Sequence, residues 1–198
     1  MASRNRILYQ SEALYVGTAT GTSASDAGHI TATQLNRVQD ISHDLDINRT
    51  DIFEFGRLAP LTRQVVDAPV VSLDFSYLLA DGDNERKMGW NIAKSGDSAG
   101  LWANAISGLL DKTEDKEKNY YVVTTKEYLD VDPGGNTTTS TAPLASDCTV
   151  VGFGNGAISN YVVNAAVGDL PTASVSIEAY NCKFVNGAVP HGATPDVW

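Results

Sequence analysis

The sequence predicts a mainly β chain, antiparallel in organisation, with one flanking helix. Three observations lead there. Where apolar and polar residues form a pattern, they alternate with period two, as strands with one buried face do. The strongest alternating segments fall into two pairs, each plausible as neighbours in a sheet. Only one segment carries the 3.6-residue spacing of a buried helical stripe. With 198 residues, 42% hydrophobic and 19% charged, the chain has enough apolar surface for a core and is not globally disordered. Neither an internal repeat nor a composition break divides it, so it reads as one domain over 1–198.

Taken in order, Ile7 to Val16 is the first strand. From Val38 to Arg49 the even positions are Val38, Asp40, Ser42, Asp44, Asp46 and Asn48, and the odd ones Gln39, Ile41, His43, Leu45, Ile47 and Arg49. This is a strand with one acidic and one mostly apolar face. Residues 50–69 form a long inter-strand loop. Val70 to Leu79 repeats the pattern, with Val71, Leu73, Phe75, Tyr77 and Leu79 facing one way and Ser72, Asp74 and Ser76 the other. Trp102, Ala105, Ile106 and Leu109 then mark the helix, with Asp97 or Ser98 as its N-cap. Glu114 to Lys118 is a solvated charge run, and Tyr120 to Lys126 a strand. Residues 132–146, rich in Gly, Pro and Thr, form a flexible loop. Further strands follow at Cys148 to Phe153 and Ile158 to Val167. Gly168-Asp169-Leu170-Pro171 supplies turn chemistry. The return strand places Ala173, Val175, Ile177 and Ala179 on one face and Thr172, Ser174, Ser176 and Glu178 on the other.

Charge narrows the function. Fourteen basic against 24 acidic residues give a formal net charge of −10. A chain that negative does not hold duplex DNA by neutralising phosphates. The N-terminus, MASRNRILYQSEALYVG, has no long apolar run and no small-residue cleavage site, and no stretch approaches the roughly 20 apolar residues that cross a bilayer. Secretion by a signal peptide and membrane anchoring are disfavoured. Two cysteines, Cys148 and Cys182, make no disulfide framework and read as small buried thiols.

Catalytic motifs are scarce. Gly96-Asp97-Ser98-Ala99-Gly100 fits the G-x-S-x-G nucleophile elbow, and His191 lies downstream in the permitted order. An elbow needs a core strand before the serine and a histidine held by a carboxylate. Trp90 to Ser95 is no core strand, and His191 sits among Pro190, Gly192 and Pro195. Ser98 as a helix cap explains the same letters more simply. His29, His43 and His191 lack metal-ligand spacing, and His43, between Ile41 and Leu45, reads as a core or interface imidazole. No phosphate loop, dinucleotide fingerprint, zinc pair or calcium loop is present, so neither cofactor nor metal is expected.

Two features ask for a use. Asp40, Asp44, Asp46 and Asp74 share one sheet face, which Glu178, Asn160 and Asn164 extend if the second hairpin joins the same sheet. No Lys or Arg lies between Val38 and Asn48 to offset those charges, and neighbouring like charges cost stability. The 50–69 connection is far longer than a plain hairpin loop of two to five residues. It carries Phe53, Phe55, Leu58, Leu61, Val65 and Val66 with Arg57 and Arg63 among them. Such a segment either folds back over its own sheet or docks on another molecule, since aromatics and arginine are common interface anchors.

Three stretches, LNRVQDISHDLDINRTDIFEFGRLAPL, PVVSLDFSYLLADG and GFGNGAISNYVVNAAVGDLPTASVSIEAYN, together resemble the bacteriophage tail tube (major tail protein) family over about half the chain. The resemblance implies two packed antiparallel sheets with a flanking helix, hexameric rings whose inner hairpins merge into one β-barrel around a channel, and rings stacked into a tube. Strands 38–49, 70–79, 157–167 and 172–182 would line the channel. Asp40, Asp44, Asp46, Asp74 and Glu178 would then face DNA that passes without specific binding. Phe53, Phe55, Arg57, Leu58, Leu61 and Arg63 would form the inter-ring stacking loop. The implied partners are other copies of the chain and sheath, baseplate or neck proteins. The implied place is the virion tail, after assembly in the host cytoplasm, and no enzymatic activity is implied. The sequence departs from the family in ending at Val197-Trp198, soon after the last matching strand. Two other readings remain: another virion structural or adaptor protein or a secretion-system tube relative, and, more remotely, a serine hydrolase using Ser98.

Overall fold

A computed structural model describes residues 12–18, 32–65, 69–92, 117–125 and 148–186. The proposed helix around Trp102 to Leu109, the 132–146 loop, Ser98, His29 and His191 lie outside these residues. Ten strands and one short helix are described: β1 (Glu12–Thr18), β2 (Thr33–Gln34), β3 (Val38–Asp46), β4 (Arg49–Ile52), β5 (Thr62–Val65), β6 (Val70–Leu78), α1 (Asp83–Lys87), β7 (Lys118–Thr125), β8 (Cys148–Asn164), β9 (Thr172–Ala179) and β10 (Asn181–Asn186).

All pairings are antiparallel. Eight strands join in the order β2-β1-β7-β8-β9-β6-β3, with β10 also on β8, and β4 and β5 pair only with each other. The eight strands divide into two layers that share β8. Its first half pairs with β7 and β10, from Cys148–Thr125 to Gly156–Lys118 and from Thr149–Asn186 to Gly154–Asn181. Its second half, from Ala157 to Asn164, pairs with β9. We call β2-β1-β7-β8-β10 the outer sheet and β8-β9-β6-β3 the acidic sheet.

The layers pack face to face. Leu14, Val16, Tyr120, Val122, Val151 and Phe153 of the outer sheet meet Val71, Leu73, Phe75, Tyr77, Val175 and Ile177 of the acidic sheet in one core. Alternation explains which side chains enter it: β6 reads exposed or half-buried at Val70, Ser72, Asp74 and Ser76 and buried at Val71, Leu73, Phe75 and Tyr77. The outer sheet is buried on its second face too, where Ala13, Tyr15, Tyr121, Val123, Cys148 and Val150 cluster. Cys148 is buried and Cys182 half-buried, both as thiols.

The crossing of β8 between layers is built from irregularities. An extra residue opposite β7 leaves Asn155 at φ 53°, with its amide donating to Asn119 Oδ1 at 3.0 Å. Gly156 follows, and a Cβ there would stand 2.8 Å from Ile177 Cγ2 and 3.0 Å from the Tyr120 ring, so only glycine fits. Bulges of this kind bend strands and let them turn sheet corners.

Several expectations need correction. The strand begun at Val38 ends at Asp46, so Ile47, Asn48 and Arg49 are not part of it. Val38 is not on the acidic face: Gln39 is an extra residue, and Val38 therefore faces Tyr77 and packs on the core. The 50–69 segment is not plain loop, because β4 and β5 form a hairpin of their own within it. The C-terminal strand is interrupted at Tyr180, where the chain leaves β9 in one layer for β10 in the other.

Candidate functional site

The acidic face is the first candidate. In the acidic sheet, Asp44 faces Ser72, which faces Glu178 on its other side. Ser42 faces Asp74, which faces Ser176, and Asp40 faces Ser76, which faces Ser174. Asn160 and Asn164 join through Ser176 and Thr172. Asp40, Asp44, Asp46, Asp74 and Glu178 are thus five exposed carboxylates on one surface, with the second hairpin in the same sheet. No Lys or Arg occurs anywhere in β3, β6, β8 or β9.

The register also shows how the sheet tolerates this charge. Asp40, Asp44 and Asp74 each lie directly opposite serines, so aspartates of neighbouring strands meet only on diagonals, about 7–8 Å apart. Directly opposite acids would repel at about 5 Å. The field is one-signed, and the worst repulsion is avoided.

Both borders of this sheet are bare. Among the described residues β3 pairs only with β6, and β8 beyond Gly156 pairs only with β9. Each presents a row of backbone N–H and C=O groups with no ladder partner, the arrangement that invites another strand. Each border strand carries one extra residue, Gln39 in β3 and Ser159 in β8.

The second candidate is the β4–β5 hairpin. Asp51 and Arg63 face each other across it at 2.8 Å. A turn brings the Arg57 amide to Glu54 O at 3.2 Å, with Gly56 at φ 90° where a side chain would be strained. The segment does not fold back over its own sheet. Phe53 is 63% exposed, Leu61 54%, and Phe55 and Leu58 are as exposed as in an extended chain. Arg57 and Glu54, 3.9 Å apart, are exposed as well.

One buried group was not foreseen. Glu85 of α1 lies under the acidic sheet, where its Oε1 accepts from Tyr77 Oη at 2.6 Å and Tyr161 Oη at 2.8 Å. Trp90 packs on Tyr161 with ring centroids 4.7 Å apart. Asn84 holds the helix in place by pairing with both the amide and the carbonyl of Asn36, at 2.8 and 2.7 Å. Burial, and then the bond to Glu85, raises the Tyr77 phenol far above its ordinary value. Burial pushes Tyr161 up to about 12. The signal was present in the sequence: two tyrosines at inward positions of β6 and β8 need an acceptor for their hydroxyls.

His43 is exposed, with its ring centroid 5.5 Å from that of Phe153 at the mouth of the core. Among the described residues no cluster of His, Cys, Asp and Glu could hold a metal ion, and no helix is long and apolar enough to cross a membrane.

No protein-family model matches the sequence, and no curated protein matches it. Solved structures do match in fold. The SPP1 tail tube superposes with a TM-score of 0.52 at 13% identity, over 93% of this chain and 81% of that one. The PVC sheath–tube complex of an extracellular contractile injection system, in its extended state, gives 0.53 at 8% identity, over 93% and 95%. The sheath/tube terminator of the same system gives 0.53 at 6% identity, over 93% and 99%. At these identities the likeness is one of architecture: the chain has the fold found in the SPP1 tail tube and in the PVC tube assemblies.

Proposed function

We propose that this chain is a non-enzymatic structural subunit of a phage tail tube, closing into hexameric rings that stack around an acidic channel for genome delivery. The observation that carries the proposal is the acidic sheet, which has a one-signed polar face and two borders unpaired among the described residues. Four strands per copy alternate in direction, so β8 of one copy runs antiparallel to β3 of the next when copies are related by rotation about an axis along the strands. Every such junction is equivalent, and closure removes every bare edge. Six copies would give 24 strands. At a strand spacing near 4.8 Å and tilts of about 35–45°, such a barrel is about 45–50 Å across between backbones.

Asp40, Asp44, Asp46, Asp74 and Glu178 then line the channel. DNA carries a negative charge about every 1.7 Å along its axis, and salt screens charge only beyond about 8 Å. Carboxylates at the wall keep phosphates from lodging there, so the genome slides without specific binding. Phe53, Phe55, Arg57, Leu58, Leu61 and Arg63 reach the adjoining ring. Sheath, baseplate or neck proteins are the fitting further partners, and the virion tail is the place.

Electron microscopy of the purified protein tests this directly. Rings or hollow tubes with six-fold symmetry are expected, and a chain that stays monomeric under every assembly condition overturns the reading. Replacing Asp40, Asp44, Asp46 and Asp74 with Lys should leave tubes intact while slowing DNA release. Unchanged infectivity of that phage would remove the channel role from these residues.

A further inference from the structure

The acidic sheet has two ends, and each exposes large apolar side chains. At one end β3 and β6 run on toward the β4–β5 hairpin, whose tip exposes Phe55 and Leu58 completely. At the other end β8 and β9 turn over through residues 165–171, exposing Val167 fully and Leu170 at 71%. Register makes these ends opposite: Asp46–Val70 and Val71–Ala179 lie at the first, Leu78–Thr172 and Thr172–Asn164 at the second. Their shapes differ. The hairpin tip projects, whereas the second tip borders a shallow, open hollow of about 710 Å³ lined by Asn164, Ala165, Ala166, Gly168, Asp169, Leu170 and Thr172. Gly168 at its turn has φ 94° and nothing within 4 Å of where a Cβ would stand.

Their charges differ as well. The projecting hairpin carries Arg49, Arg57 and Arg63 against Asp51 and Glu54; Asp51 holds Arg63 at 2.8 Å, whereas Arg57 and Glu54 make only a loose, exposed pair at 3.9 Å. The hollow carries one charged residue, Asp169. We infer that the 164–172 turn, with its hollow, is the seat for the 53–61 tip of a second copy of this chain, with Phe55 against Leu170 in the hollow, Leu58 against the exposed Val167 beside it and Arg57 against Asp169. A knob and a hollow on different surfaces of one chain make a heterologous contact, which repeats without closing on itself when the two lie at opposite ends. The contact therefore propagates along the strands and stacks ring on ring. The inference rests on the tube reading and adds the receiving surface to it.

Charge reversal with rescue tests it. Rings assembled from Arg57→Asp or from Asp169→Arg should form normally but give at least tenfold less tube, counted by electron microscopy. The double variant should regain tubes. Single variants that stack like the parent overturn the seat, and so does a double variant no better than either single. A parent chain that forms no rings overturns the tube reading itself, a distinct result seen before any variant is made. A chain carrying Leu58→Cys with Val167→Cys gives an independent check. Oxidation should yield a ladder of linked copies that neither variant with one added cysteine gives, the native Cys148 and Cys182 being common to all of them, and monomer alone would refute the contact.

Discussion

The two layers of this molecule are built from antiparallel strands and share one of them, β8, yet treat water differently. In the outer sheet β1, β7 and the first half of β8 are buried on both faces, whereas the acidic sheet is buried on one. β8 passes through both conditions within one strand: buried at almost every position from Cys148 to Gly154, and exposed or half-buried from Ala157 to Asn164. Composition follows surroundings. Tyr120 to Val123 in β7 and Val150 to Phe153 in β8 form near-continuous apolar runs, whereas β3, β6 and β9 alternate. A strand therefore states in its sequence how many of its faces are covered, and the covered-once layer is where charge accumulates.

The sharpest way to break this comparison is a lysine placed outward on each layer. Val150→Lys, at a site with 0% exposure, should cost more than about 4 kcal/mol or prevent folding, because an unpaired charge is buried. Ser174→Lys, outward on the acidic sheet, should change stability by less than about 0.5 kcal/mol. Urea denaturation of the two variants decides it, and similar losses would mean the layers are not different in the way described. Next in size is Glu85→Ala, which takes the acceptor from the buried Tyr77 hydroxyl and the half-buried Tyr161 hydroxyl and leaves them only their long 3.5 Å contact. It should cost about 2–3 kcal/mol, while Glu85→Gln keeps an acceptor and loses about half as much. Equal losses would show that the carboxylate serves packing alone. Gly156→Ala, at the point where β8 changes layers, should cost about 1–3 kcal/mol through overpacking against Ile177 and Tyr120. The smallest effect is on the polar face. Changing Asp44, Asp46 and Asp74 together to Ser should raise the stability of the isolated subunit by a few tenths of a kcal/mol for each repulsive pair removed, on the order of 0.5. It should also flatten the rise of stability with added salt, and a salt dependence unchanged from the parent would show that the carboxylates do not feel one another.

The same contrast explains what the sequence disclosed. β3, β6 and β9 were legible because alternation is the signature of a sheet wet on one side, and the five acids of the candidate site came with them. β8 was legible only as two pieces, since Gly154-Asn155-Gly156 has turn chemistry and forms a bulged corner instead. The β4–β5 hairpin was hidden because its four-residue strands bury nothing and pair only with each other. The helix α1, Asp83 to Lys87, is too short for a helical period to register, and Asn84 anchors it through Asn36, 48 residues away in sequence. Nothing in the charged stretch Asp83 to Lys87 marks Glu85 as buried. Its role depends on Tyr161, 76 residues downstream, which local pattern does not reveal.

If the chain assembles as proposed, the extra residues Gln39 and Ser159 have a consequence for its life before assembly. On that reading a newly made copy waits among identical copies with two ladders that are bare among the described residues, and flat ladders zip together in any register, toward fibrous deposits. Each kink interrupts the straight run of donors and acceptors at one place, so a slipped match loses contacts that the correct one keeps. Solubility while waiting and accuracy on joining thus trace to the same two insertions.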